Sequence, residues 1–168
     1  AGGSTGEDIW IRKYTSAGVM SCEQKIDGGV STSDRALAVA VNSTTGKFYV
    51  AGYQTAAGAD KQMFVRRLRT SDCTVDASVT GNSTGTNDQA ATIKIDSNGF
   101  VYVAGRDSST DSDWWIRKYS SSLALQTEIN SNVAGSHESL AMGIDTANNI
   151  YVGGYKTVMS QDWWLRQF

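Results

Sequence analysis

Asp113-Trp114-Trp115-Ile116-Arg117-Lys118-Tyr119 has three relatives in the same chain. They are Asp8-Ile9-Trp10-Ile11-Arg12-Lys13-Tyr14, Gln62-Met63-Phe64-Val65-Arg66-Arg67-Leu68 and Asp162-Trp163-Trp164-Leu165-Arg166-Gln167-Phe168. The central aromatics stand at positions 10, 64, 115 and 164. That is a repeat of roughly 50 residues, the period of stacked or radial repeat architectures. A second motif precedes the last three copies: Phe48-Tyr49-Val50-Ala51-Gly52, Val101-Tyr102-Val103-Ala104-Gly105 and Ile150-Tyr151-Val152-Gly153-Gly154. Upstream of each lies a third segment, at residues 36–42, 90–96 and 139–145, built from small and β-branched residues.

Each segment is short, bounded by Gly, Asn, Asp or Ser, and free of a sustained 3.6-residue period, so each reads as a β-strand. Ser43-Thr44-Thr45-Gly46, Ser97-Asn98-Gly99 and Thr146-Ala147-Asn148-Asn149 separate the third segment from the second. Gly and Asn tolerate the positive φ of tight hairpin turns, so these two segments form a hairpin. The Trp/Arg segment follows as a third strand. A looser polar strand completes the unit at Met20–Ile26, Thr74–Thr80 and Leu123–Ile129. Four antiparallel strands repeated radially make a β-propeller blade. The expected fold is therefore all-β, a single repeat domain over 1–168 with about three and a third blades. The blades divide as a partial blade 1–33, full blades 34–86 and 87–135, and a partial blade 136–168. A β-trefoil, also three repeats of four strands, is the alternative.

The run Ala90 to Tyr119, with Asp96-Ser97-Asn98-Gly99-Phe100-Val101-Tyr102-Val103-Ala104-Gly105 inside it, resembles the bacterial β-propeller repeats often called SBBP. It is more distantly similar to NHL-type blades. The resemblance implies a secreted or surface protein of several blades and carries no shared active site.

Propellers close with 4–8 blades, and this count falls short. The chain would be a piece of a longer propeller, a homo-oligomer that completes a ring or filament through its strand edges, or the trefoil. Apolar residues on the two partial blades, namely Ile9, Trp10, Ile11, Trp163, Trp164 and Phe168, would then be exposed surface and form the expected interface.

Composition narrows the function classes. Five Trp, seven Tyr and four Phe in 168 residues exclude a disordered chain, and 17 Gly with 19% charged residues fit a turn-rich all-β protein. Net charge is −2 and the pI about 5.3, so no basic surplus exists for nucleic acid. No apolar run is long enough for a membrane-spanning helix. Ala1-Gly2-Gly3-Ser4-Thr5-Gly6 has neither the charged nor the apolar region of a signal peptide, and reads as a mature start or an internal cut. The expected location is extracellular, cell-surface or periplasmic. Cys22 and Cys73 are too few for a disulfide framework. They fall in neighbouring repeats at non-equivalent positions, and either bond in an oxidising compartment or stand as two small thiols.

Chemistry-bearing residues have mostly structural readings. Trp10 with Arg12, and Trp115 with Arg117, share a strand face. They suit carbohydrate stacking or, since the pair recurs in every repeat, a packing layer with cation–π contacts. His137, the only histidine, takes the slot of Asp34 and Asp88 before the small-residue strand, so no catalytic triad is available. Asp107 to Asp113 is acidic but lacks the Gly and distal Glu of an EF-hand loop. Gly2-Gly3 and Gly28-Gly29 open no helix and indicate no dinucleotide site. No cofactor, metal site or catalytic residue is expected. The expected function is a non-enzymatic propeller module for protein–protein contact or self-assembly. The alternatives are a carbohydrate-binding, lectin-like module that takes a glycan, and a fragment of a secreted hydrolase.

Overall fold

A computed structural model of the chain describes residues 6–26, 32–56, 60–81, 86–108, 113–130, 136–157 and 161–167. Among them are thirteen strands and no helix, hence no helix long and apolar enough to cross a membrane. Sheet 1 is β1 (Ile9–Tyr14) with β2 (Met20–Ile26). Sheet 2 runs β3 (Arg35–Asn42), β4 (Lys47–Thr55), β5 (Lys61–Arg69) and β6 (Val75–Gly81). Sheet 3 runs β7 (Thr86–Ile95), β8 (Val101–Ser108), β9 (Trp114–Tyr119) and β10 (Leu125–Asn130). Sheet 4 runs β11 (Ser136–Ile144), β12 (Ile150–Thr157) and β13 (Gln161–Gln167). Every pairing is antiparallel between chain neighbours, so each sheet is a meander. The described strands close no barrel, and the β-trefoil, which requires one, is not what they form.

The hairpin turns are where the sequence puts them. Gly46, Gly99 and Asn148 hold φ of 62°, 83° and 66°. Asp96 Oδ1 accepts from the Asn98 and Phe100 amides, and Asp145 Oδ1 from those of Ala147 and Asn149. The fourth strand starts later than expected in sheet 3. Leu123 is not in β10 but in the preceding turn, at φ 67°, buried. Cys73 (φ 60°) and Gly18 (φ 76°) occupy the matching turn position ahead of β6 and β2.

The glycine of the Tyr-Val-Ala-Gly strand has a specific cause. Gly52, Gly105 and Gly154 each lie opposite a register shift in the small-residue strand, at Ala36/Ala38, Ala90/Thr92 and Ser139/Ala141. The bulge drives a backbone carbonyl toward the glycine. A Cβ on Gly105 would sit 1.8 Å from the Gln89 oxygen and 2.8 Å from Trp115 Cζ2. Gly105→Ala should therefore cost at least about 3 kcal/mol, the upper end for overpacking, because backbone must move. Urea denaturation reads it as a lower midpoint at unchanged slope. A midpoint equal to wild type would show that the bulge yields freely.

Alternation along each strand sends one side chain to the preceding sheet and the next to the following one. Ile9, Ile11, Phe48, Val50, Phe64 and Leu68 form the core between sheets 1 and 2. Tyr49, Ala51, Met63, Val65, Ile93, Val103, Trp115 and Tyr119 form that between sheets 2 and 3. Tyr102, Ala104, Trp114, Ile116, Met142 and Val152 form that between sheets 3 and 4. The first strands reach across the preceding sheet: β7 touches β3, β4 and β5, and β11 touches β7, β8 and β9. A bond between Cys22 on β2 and Cys73, with Cα atoms 5.7 Å apart, ties sheet 1 to sheet 2. It is compatible with an extracellular setting.

The outer strand β6 is held by Asp76, which accepts from Lys47 and Arg67 and is nearly buried. Burial alone would raise its carboxyl, but those two cations outweigh it and hold the group below the usual range. A carboxylate lowered in the folded state stabilises fully above its unfolded value of about 4 and loses that contribution as pH falls through the folded value. Thermal stability should be level from about pH 7 to 5 and fall below about 4. Asp76→Asn should cost roughly 2 kcal/mol at neutral pH and make the acid decline shallower. An equally steep decline in that variant would place the acid sensitivity elsewhere.

Candidate interaction surface

Equivalent positions in successive repeats differ sharply in their surroundings. Phe64 in sheet 2 and Trp115 in sheet 3 are 0% and 1% exposed, each covered by the preceding sheet. Trp10, the same position in sheet 1, is 53% exposed. Tyr14 is half-exposed where Leu68 and Tyr119 are buried. The strand itself is built alike in the three sheets. Arg12 lies 3.5 Å over the Trp10 ring, Arg66 4.8 Å over Phe64 and Arg117 4.6 Å over Trp115. Arg12 pairs across to Glu23 at 2.7 Å as Arg117 does to Glu128 at 2.6 Å. Both carboxylates lie below their ordinary range. For Glu23 the pairing with Arg12 is the leading cause; for Glu128 burial pushes the group up and is outweighed by the hydrogen bonds from Asn130 and Arg117. Sheet 1 thus carries the same aromatic–arginine–glutamate layer as sheet 3, with nothing described above it.

A second difference lies beside β1. Among the described residues β1 pairs with β2 alone, leaving its other edge unpaired. In sheets 2 to 4 the corresponding edge carries two more strands, the small-residue hairpin. The space that hairpin would take in sheet 1 is a groove of about 420 Å³. Trp10, Arg12 and Lys13 line one side, and Val39, Val41 and Phe48 the floor. Val39 is 62% exposed, whereas its counterparts Ile93 and Met142 are 2% and 8% exposed. Leu37, Val39 and Val41 of β3 are exposed, and no described strand of sheet 1 lies over them.

The expected interface residues divide. Trp10 is on the open face. Ile9 and Ile11, expected with it, are not: strand alternation turns them inward, and they are buried against Phe48, Phe64 and Leu68. Trp163 and Trp164 lie on β13, paired with Tyr155 and Gly154; their side chains, and all of Phe168, lie outside the described residues. On the same strand Leu165 is exposed. No protein-family model matches the chain, and no curated protein matches it.

One face of the Trp10 indole holds the Arg12 guanidinium. Among the described residues no group of three or more His, Cys, Asp or Glu is arranged to hold a metal. Asp107 and Asp113 bond to each other through backbone and side chain, and residues 109–112 are outside the described set. Gly2-Gly3 and Gly28-Gly29 are also outside it. His137 is buried in the slot that Asp34 and Asp88 fill in the other repeats, 3.9 Å from Asp113. Asp34 shows what that slot does: its Oδ1 accepts from the Thr55 amide at 2.7 Å.

Proposed function

We propose that this chain is a non-enzymatic β-propeller repeat module, of the extracellular or bacterial surface kind, whose work is protein–protein contact, including contact with further copies of itself. The stack of antiparallel four-stranded meanders supports the propeller reading, as does the reach of each first strand over the preceding sheet. The similarity of Ala90–Tyr119 to bacterial propeller repeats agrees with it. The observation that carries the functional reading is the half-exposed Trp10, at a position buried in the next two repeats. Large uncovered apolar positions mark interfaces.

Light scattering on a sizing column, across a hundredfold range of concentration, tests it. The 18.0 kDa chain should run above its own mass, and Trp10→Glu should shift it toward monomer by weakening association at least tenfold. A chain that stays monomeric throughout, with Trp10→Glu indistinguishable from it, would remove self-contact from the reading.

A further inference from the structure

We infer that the groove beside β1 takes the β11–β12 hairpin of a second copy, and that two copies exchange strands in this way to complete a ring of six four-stranded sheets. The inference rests on the propeller reading above and names the partner and the register.

Three observations select this occupant. First, β1 and β13 are copies of one strand, Asp8-Ile9-Trp10-Ile11-Arg12-Lys13-Tyr14 and Asp162-Trp163-Trp164-Leu165-Arg166-Gln167-Phe168. Strand β13 pairs with β12 through Gly154↔Trp164 and Tyr151↔Gln167, the register in which β9 pairs with β8 through Gly105↔Trp115. Any edge that accepts β13 accepts β1 in the same register, with Gly154 opposite Trp10 and Tyr151 opposite Lys13. Strand β1 brings β2 with it as the fourth strand that sheet 4 does not have among the described residues.

Second, the surfaces match. Between sheets 2 and 3 the small side chains Ala38 and Ala40 of β3 pack against the cluster containing Ile93, with Ile95 beside it. The corresponding small residues of β11 are Ala141, which is exposed, and Gly143, whose missing side chain would meet open space. The corresponding large residues of β3, Val39 and Val41, are exposed on the groove floor. Placed in the groove, β11 sets Ala141 and Gly143 over Val39 and Val41, as β3 sets Ala38 and Ala40 over Ile93 and Ile95.

Third, the count closes. With β1–β2 of one copy completing β11–β12 of the other, each chain contributes three complete sheets. Two copies joined in this way give six complete sheets from the described strands, within the 4–8 blades at which propellers close. The exchange is reciprocal, so the pair is a two-fold dimer. Strand β13 is the element displaced, and it competes with the partner's β1 for the same edge.

Cysteine cross-linking tests the register. Paired strands bring Cα atoms to about 4.5–5.5 Å, within reach of a disulfide. Lys13→Cys/Tyr151→Cys, oxidised as a mixture of isotopically light and heavy chains, should give a covalent species of twice the chain mass. Peptide mapping should find residue 13 of one chain bonded to residue 151 of another. Tyr151→Cys/Gln167→Cys should instead bond within one chain, hold β13 on β12, and weaken dimerisation at least tenfold. Dimers that lack the 13–151 bond, or a locked variant that associates like wild type, would overturn strand exchange while leaving self-contact intact. A chain that is monomeric at every concentration would overturn both.

Discussion

Trp115→Ala should destabilise the protein by about 3–5 kcal/mol, the range for removing a fully buried tryptophan from a core. Trp10→Ala, at the same position of the repeat, should leave the melting temperature of the isolated chain within a few degrees of wild type. The local chemistry of the two indoles is similar. Each lies under an arginine that is paired to a glutamate on the neighbouring strand. What differs is the covering layer. Trp115 sits in the cluster with Tyr49, Ala51, Met63 and Val65 of the preceding sheet, and its edge closes on Gly105. Removing it leaves a cavity that these residues cannot fill without moving strands. Trp10 has no such layer among the described residues, and its loss removes mainly exposed area and the contact with Arg12. Denaturation of the two variants at low concentration, below any association, separates the effects. Equal losses would mean that Trp10 is covered in the isolated chain and that the open surface does not exist.

Much of the architecture is legible in the sequence because the repeat displays it three times over. The strand order, the glycine and asparagine turns and the pairing of Tyr-Val-Ala-Gly with Trp/Arg all follow from motifs read side by side. A single copy would not distinguish a buried strand from any other short apolar run. Which face each residue takes is harder. Ile9 and Ile11 look like exposed terminal aliphatics when grouped with Trp10, yet alternation alone places them opposite it. Their counterparts Trp114 and Ile116 face the following sheet, on the side of the strand opposite Trp115. The groove was less legible still. Val39 and Val41 belong to a full repeat and give no local sign of exposure; what uncovers them is that sheet 1 has two strands among the described residues where sheet 2 has four. Glu23 and Glu128 were missed for a similar reason, since their pairing with Arg12 and Arg117 depends on cross-strand register.

The Cys22–Cys73 bond should contribute about 4 kcal/mol, the chain-entropy value for a loop of this length, which here spans 51 residues. Its position makes the effect local. Sheet 1 is a two-stranded hairpin, an element marginal by itself in water. It is joined to sheet 2 by the cluster of Ile9, Ile11 and Ile26 with Phe48 and Leu68, by Lys13 Nζ donating to the Thr70 carbonyl at 2.7 Å, and by the exposed pair of Arg35 with Glu7. Exposed pairs of that kind add little. The bond was not evident from repeat alignment because equivalence is the wrong criterion. Two stacked layers are joined by residues that face each other, one on the following side of β2 and one on the preceding side of sheet 2. Cys22→Ser with Cys73→Ser should lower the melting temperature by about 10 °C. Amide exchange should rise most over residues 9–26, with residues 101–119 retaining protection until global unfolding. A uniform loss of protection would instead show that sheet 1 unfolds only with the rest. The same variant bears on assembly, because β1 forms one wall of the groove: a hairpin released from sheet 2 presents its edge without the Val39 and Val41 floor beside it, and association should weaken even though Trp10 is unchanged.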